Sequence, residues 1–192
     1  MSLFFPISLI LSGFIYAIWD HLPLVSKFRE MLRFLTILII NTVVFFYIFS
    51  SKEFPLQSHL FLSLSGAILL LLTIIKGLKL ESRIKRVKSG NLSLNADESI
   101  ETAYSNILTL GGIGLVVLML AVITGFIIIE TQLESLALKS FFSILALLIY
   151  LGILSLIKFN NLQLKNAVRM LLLSFIMILV SYSFSNAAIN LS

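Results

Sequence analysis

The sequence predicts an all-α integral membrane protein, a bundle of six transmembrane helices with both termini on the outer, periplasmic side. Composition, apolar run length and the distribution of basic residues predict it. The 192 residues are 59% hydrophobic and 12% charged, with a mean hydropathy of +1.07, whereas soluble domains are about 25% charged. A spanning helix needs roughly 20 apolar residues, so this length holds about six spans and no sizeable soluble domain.

Six apolar runs define the spans of a single transmembrane domain, residues 1–192. The first run lacks the basic start and small-residue cleavage site of a signal peptide, so we expect it to be retained as a span. Pro6 lies in its first turns, where a helix tolerates proline best. The spans are predicted at residues 3–19, 34–49, 57–78, 104–129, 136–157 and 167–189.

The long connection between the third and fourth spans, residues 79–100, is a basic loop. Its first half is expected to extend the third helix, and its second half is polar and turn-like. Asn95 or Asp97 is expected to cap the fourth helix, with Glu98 and Glu101 favourably placed in its first turn.

The basic residues predict the orientation, because cytoplasmic loops of membrane proteins are enriched in lysine and arginine. If the loop at residues 79–100 is cytoplasmic, only Lys52 and Lys139 of the 14 lysines and arginines fall on the outer side. Both termini then face outward, and we expect a multi-pass protein of a bacterial inner membrane. An excess of lysine and arginine in the cytoplasmic loops explains the net charge of +5, so we expect no nucleic-acid partner.

Several chemistries are excluded by residues that the sequence lacks. Without cysteine there are no disulfides, thiolate zinc sites or covalent heme attachment. No aspartate or glutamate lies at mid-span, which argues against a proton pump. No serine, histidine and acid form a nucleophilic arrangement, so we expect no enzyme activity.

The chemistry that remains depends on His59, one of two histidines in the chain. His59 lies at the predicted outer boundary of the membrane. It opens an apolar run that leads into the basic segment from Lys76 to Lys88. His21 falls on the cytoplasmic side, about 30 Å of hydrocarbon away, so the two cannot bind one metal ion. A neutral imidazole is a good ligand for heme iron and other transition metals. An interfacial histidine with a backbone or water partner is the simpler interpretation.

Charged residues at the outer turn between the fourth and fifth spans form a second candidate site. Glu130 and Glu134 have i,i+4 spacing, and Lys139 begins the next span. With His59 they are expected to form an outer-face polar cluster. Ordinary boundary charges and a cation site are the two interpretations.

Small and polar residues within the spans are interpreted as packing features. A phosphate-binding loop needs a strand before it and a helix start after it, and neither surrounds Gly111–Gly114 or Gly125. Small residues in a membrane helix permit close helix packing instead. Asn41 and Asn106 are candidates for hydrogen bonds between helices.

Five segments in order carry a family resemblance. They are the histidine-opened span at residues 59–70, the basic helix end at 80–90, the glycine-rich span at 107–126 with Thr-Gly near its end, Lys-Ser-Phe-Phe-Ser-Ile-Leu-Ala-Leu-Leu-Ile-Tyr at 139–150, and Ser-Tyr-Ser-Phe-Ser-Asn at 181–186. In this order they resemble the cytochrome c assembly family of membrane proteins, which includes the CcsA, CcmC and HemX-like proteins. The likeness is greatest to short YpjD-like inner-membrane members and covers about residues 57–190.

The resemblance implies a non-enzymatic, heme-handling protein with heme b at the outer face and His59 as an axial ligand of the iron. The turn from Glu130 to Lys139 then stands where the family has a tryptophan-rich heme loop, although it holds no tryptophan. Asn186 or Asn190 stands where a second outer histidine is expected. A second ligand would come from methionine, water, another chain of a homo-oligomer or a membrane protein partner.

Two alternatives remain from the same residues. The chain is otherwise an accessory or scaffold subunit of another membrane complex, for example one for ion transport, that has lost the heme site. A small-ion carrier that uses Glu130 or Glu134 is the third interpretation.

Overall fold

A computed structural model describes residues 4–19, 26–50, 54–90, 99–129, 133–159 and 164–191. These residues form six α-helices, so the all-α prediction is confirmed. The helices are α1 (Phe4–Trp19), α2 (Ser26–Phe49), α3 (Phe54–Lys88), α4 (Ile100–Ile129), α5 (Leu133–Lys158) and α6 (Leu164–Leu191).

The helices are longer than most of the apolar runs that predict them. α2 begins at Ser26 rather than at residue 34, because the charged segment before the apolar run continues the helix. α3 extends to Lys88, which confirms the predicted helical extension. Its 35 residues make a helix of about 52 Å. The helix is therefore longer than a crossing of a hydrocarbon core about 30 Å thick requires.

Within the residues that the structure describes, three helices contain stretches long and apolar enough to cross a membrane, namely Leu32–Phe49, Leu56–Lys88 and Ile100–Phe126. Two further apolar helical stretches in the described residues, Pro6–Ile18 and Ser143–Lys158, are shorter. By length and composition the chain is a helical membrane protein. The count of six spans and the sides of the termini stay predictions.

α3 is the central helix and packs against α1, α2, α4 and α6. Ala67 and Leu70, at the middle of α3, are fully buried. One apolar cluster lies where α3 meets α1 and α2, and a second joins α3 to α4, α5 and α6. The core therefore lies around α3, because apolar side chains of the other helices pack against it on several sides.

The two ends of the bundle differ in character. At one end the last turn of α1 meets the start of α2 and the basic part of α3, where Arg33 and Lys79 both lie against Tyr16. We call this the basic end. At the other end the start of α3 meets the last third of α4 through His59 and Ala121. We call this the histidine end.

Glycines let α4 approach its neighbours closely. A Cβ atom built on Gly114 would lie 3.1 Å from Cβ of Leu69 in α3 and 3.0 Å from the hydroxyl oxygen of Tyr150 in α5. That hydroxyl donates a hydrogen bond of 2.8 Å to the carbonyl oxygen of Gly111. The interpretation as a packing feature is confirmed for Gly111 and Gly114.

Asn41 joins α2 to α1 by buried hydrogen bonds. Its Nδ2 donates to the hydroxyl of Ser12 at 2.9 Å, and its Oδ1 accepts from Ser8. All three residues are buried, and an apolar interior would otherwise leave these polar groups unsatisfied. The predicted interhelical role of Asn41 is confirmed.

The cap of α4 differs from the prediction. Ser99 immediately precedes the helix, and its hydroxyl accepts a hydrogen bond of 3.0 Å from the backbone N–H of Thr102. This is the geometry of an N-cap. The predicted cap at Asn95 or Asp97 is therefore wrong, since both precede Ser99, and they lie outside the described residues. Glu101 occupies the first turn as predicted.

Candidate functional site

His59 lies in the second turn of α3, where its half-buried side chain faces α4. Its Nδ1 is 2.8 Å from the carbonyl oxygen of Ala121. Because a carbonyl oxygen only accepts hydrogen bonds, Nδ1 carries the proton. The structure confirms the backbone partner that the sequence suggested for His59, and this partner belongs to another helix.

The absence of a side chain at Gly125 lets the imidazole of His59 pack directly against α4. A Cβ atom built on Gly125 would lie 2.9 Å from Cε1 of His59 and 3.2 Å from Nδ1. A side chain at this position would therefore move the ring. Thr124 donates 3.0 Å hydrogen bonds to the carbonyls of Leu120 and Ala121, so the Ala121 carbonyl has donors from both α3 and α4.

This geometry is compatible with a ligand role for His59. In a neutral imidazole with a proton on Nδ1, the lone pair is on Nε2. Histidines that bind metals commonly donate their other ring N–H to a carbonyl or carboxylate, which fixes the tautomer and the ring orientation. The hydrogen bond from Nδ1 of His59 to the Ala121 carbonyl is of the kind that an axial histidine ligand makes.

The other predicted members of the outer-face cluster are not brought to His59 by any described contact. Glu130 lies outside the described residues. His21, predicted on the cytoplasmic side, also lies outside them. Glu134 and Lys139 belong to α5, but their side chains also lie outside the described part of the chain. Among the described residues, no group of three histidine, aspartate or glutamate side chains could hold a metal ion.

A cavity at the basic end is the feature that sequence reasoning missed. It has a volume of about 330 Å³ and is bordered by α1, α2, α3 and α4. Its polar lining consists of Tyr16, Arg33, Lys76, Asn106 and Thr109, and the rest is apolar. Asn106, predicted to bond between helices, lies on the wall of this cavity.

Two cations at the cavity meet the same aromatic ring. The guanidinium carbon of Arg33 lies 4.2 Å from the ring centroid of Tyr16, and Nζ of Lys79 lies 4.6 Å from it. Arg33 is only 2% exposed, and cations at these distances are attracted to an aromatic face. The sequence places Arg33 and Lys76 at one end of the bundle, but nothing in it shows that Arg33 is buried.

Comparison of the chain with protein-family models, with curated proteins and with solved structures finds no match.

Proposed function

We propose that this chain is a non-enzymatic, heme-binding protein of a bacterial inner membrane, with His59 as an axial ligand of the heme iron. The observation that carries the proposal is the 2.8 Å contact from Nδ1 of His59 to the Ala121 carbonyl. That contact orients the imidazole and fixes its proton on Nδ1, so Nε2 is the nitrogen that would bind the iron. The resemblance of residues 57–190 to cytochrome c assembly proteins supports the same assignment.

The proposal includes the topology in which the bundle spans the membrane six times with both termini outward. The concentration of lysine and arginine at the basic end supports it, because such residues mark the cytoplasmic side. His59 then lies at the outer face. Since cysteine is absent, the heme is held without a covalent bond, as heme b.

Heme titration of the purified chain in detergent tests the proposal. The wild-type protein is expected to develop a Soret band that saturates, and the His21→Ala control is expected to match it. His59→Ala is expected to bind heme more than about 100-fold more weakly, since loss of a mere outer-shell partner already costs 10–100-fold. A wild-type protein without a saturable band, or equal binding by His59→Ala, overturns the proposal.

The packing between His59 and Gly125 gives a second prediction. Gly125→Ala is expected to push the ring from the Ala121 carbonyl and to lower heme affinity about 10-fold to 100-fold, as for loss of an orienting partner. The matched control is Gly112→Ala in the same helix, where an added Cβ meets nothing within 4 Å. Heme titration and thermal unfolding of both variants check it. Equal heme affinity for the two variants contradicts the positioning role of Gly125.

A role as an accessory or scaffold subunit of another membrane complex is the second candidate. The observation that favours it is that the His59 ring already joins α3 to α4 by a hydrogen bond and close packing. Under this proposal His59→Ala lowers thermal stability, the purified protein shows no heme spectrum, and one stable membrane partner co-purifies.

A further inference from the structure

We propose that an anionic phospholipid binds in the groove between α2 and α4, with its phosphate at the cations of the basic end. This site is separate from His59, and the inference does not depend on the heme proposal. It rests on the shape of the groove, on its lining and on the position of its charges.

The groove exists because α2 and α4 both pack on α3 and do not contact each other in the described residues. The cavity of about 330 Å³ at the basic end continues into a smaller one of about 40 Å³. Phe34, Ile37 and Leu72 line both. The smaller cavity is lined by α2 and α3 alone and reaches Phe61 on α3, so the groove follows α3 from Lys76 to Phe61.

The groove changes from charged to apolar along this length. Arg33 and Lys76 line its basic end, and Lys79 joins them through Tyr16. Beyond Leu72 the lining is mainly aliphatic and aromatic. An amphipathic ligand with an anionic group at one end and hydrocarbon at the other matches this order.

The dimensions match a lipid of one leaflet. Fifteen residues of α3 separate Phe61 from Lys76, which is about 22 Å of helix. This is close to half of a bilayer that is about 40–45 Å thick with its headgroup regions. Phe34 on α2 and Ile113 on α4 both line the larger cavity and are both exposed, so acyl chains can enter from the bilayer. A free anion would use only the charged end.

The cations are positioned before a ligand binds. Arg33 and Lys79 lie over Tyr16, and Arg33, Lys76 and Lys79 all make interactions within the protein. Such contacts lower the cost of ordering long side chains around a phosphate. Basic pockets between transmembrane helices on the cytoplasmic side are known to bind phosphorylated lipid headgroups.

Native mass spectrometry and thermal unfolding of the full chain in detergent test this proposal with phosphatidylglycerol, phosphatidylcholine and inorganic phosphate. We expect phosphatidylglycerol to remain bound and to raise the Tm, phosphatidylcholine to do so more weakly, and inorganic phosphate to have no effect. Equal effects of the two lipids overturn the anionic headgroup. A Tm rise with inorganic phosphate that matches phosphatidylglycerol overturns the lipid and leaves a free anion.

Two variants with matched controls locate the site. Lys76→Gln is expected to weaken phosphatidylglycerol binding about five-fold, as for loss of one cation near a lipid headgroup, whereas the exposed Lys85→Gln has no effect. Thr109→Trp is expected to block the groove, whereas Val116→Trp, on an exposed part of α4 outside the groove, does not. Arg33 is not substituted, because it is buried and a substitution there would disturb folding before it reported on lipid binding. Wild-type binding by both Lys76→Gln and Thr109→Trp overturns the proposal.

Discussion

The His59→Gly variant is expected to bind heme only when free imidazole is supplied. The substitution removes the ring from its place beside Gly125 and leaves a space of the same shape near the Ala121 carbonyl. Imidazole in solution can enter that space, donate one N–H to the carbonyl and give its other nitrogen to the iron. Absorbance titration at increasing imidazole concentrations measures the rescue.

The rescue separates ligation from stability. The variant loses one hydrogen bond, worth about 1 kcal/mol, and gains a glycine in a helix, which costs up to about 1 kcal/mol. Thermal unfolding in detergent reports that loss independently of heme. The wild-type protein should bind heme without added imidazole. A variant that stays folded and binds heme as well without imidazole contradicts the assignment of His59.

Gly114→Leu is expected to destabilise the bundle by about 3 kcal/mol, at the upper end of overpacking costs. At this position even a Cβ is held between Cβ of Leu69 and the hydroxyl of Tyr150, and the backbone of Leu69 is 3.8 Å away. A backbone neighbour cannot turn aside as a flexible side chain can. We expect α4 to move away from α3, which also strains the bond from Tyr150 to Gly111.

Gly112→Leu is the matched control for this prediction. It lies two residues away in the same helix, gains the same helix propensity, and a Cβ there meets nothing within 4 Å. Thermal unfolding of the two variants in one detergent makes the comparison. If both variants unfold at the wild-type temperature, the close packing of α4 on α3 is not what stabilises the bundle.

The helices could be predicted because run length and apolar composition determine them locally. The packing role of Gly111 and Gly114 followed from the absence of a strand before them, and the interhelical role of Asn41 from the cost of an unpaired amide in an apolar span. The cap of α4 could not be assigned correctly, because serine, asparagine and aspartate have similar capping preferences. Ser99 stood close to Asn95 and Asp97 in sequence.

The candidate sites were predictable only in part. His59 was evident because the chain has two histidines, but its partner is a backbone carbonyl of Ala121, which leaves no mark in the sequence. The groove was missed because it depends on how far α2 and α4 stand apart on α3. The burial of Arg33 likewise follows from the packing of α1, α2 and α3, and an arginine that starts an apolar run looks like an ordinary boundary charge.

The resonance Raman spectrum of the ferrous, heme-loaded protein tests the ligation by His59 most directly. With His21→Ala as the background, His59 is the sole histidine of the chain, so labelling histidine with ¹⁵N labels one imidazole. We predict an iron–histidine stretching band that shifts on this labelling and disappears in the protein that also carries His59→Ala. Iron–ligand bands of the heme-loaded protein that neither shift on labelling nor change on substitution would contradict ligation by His59.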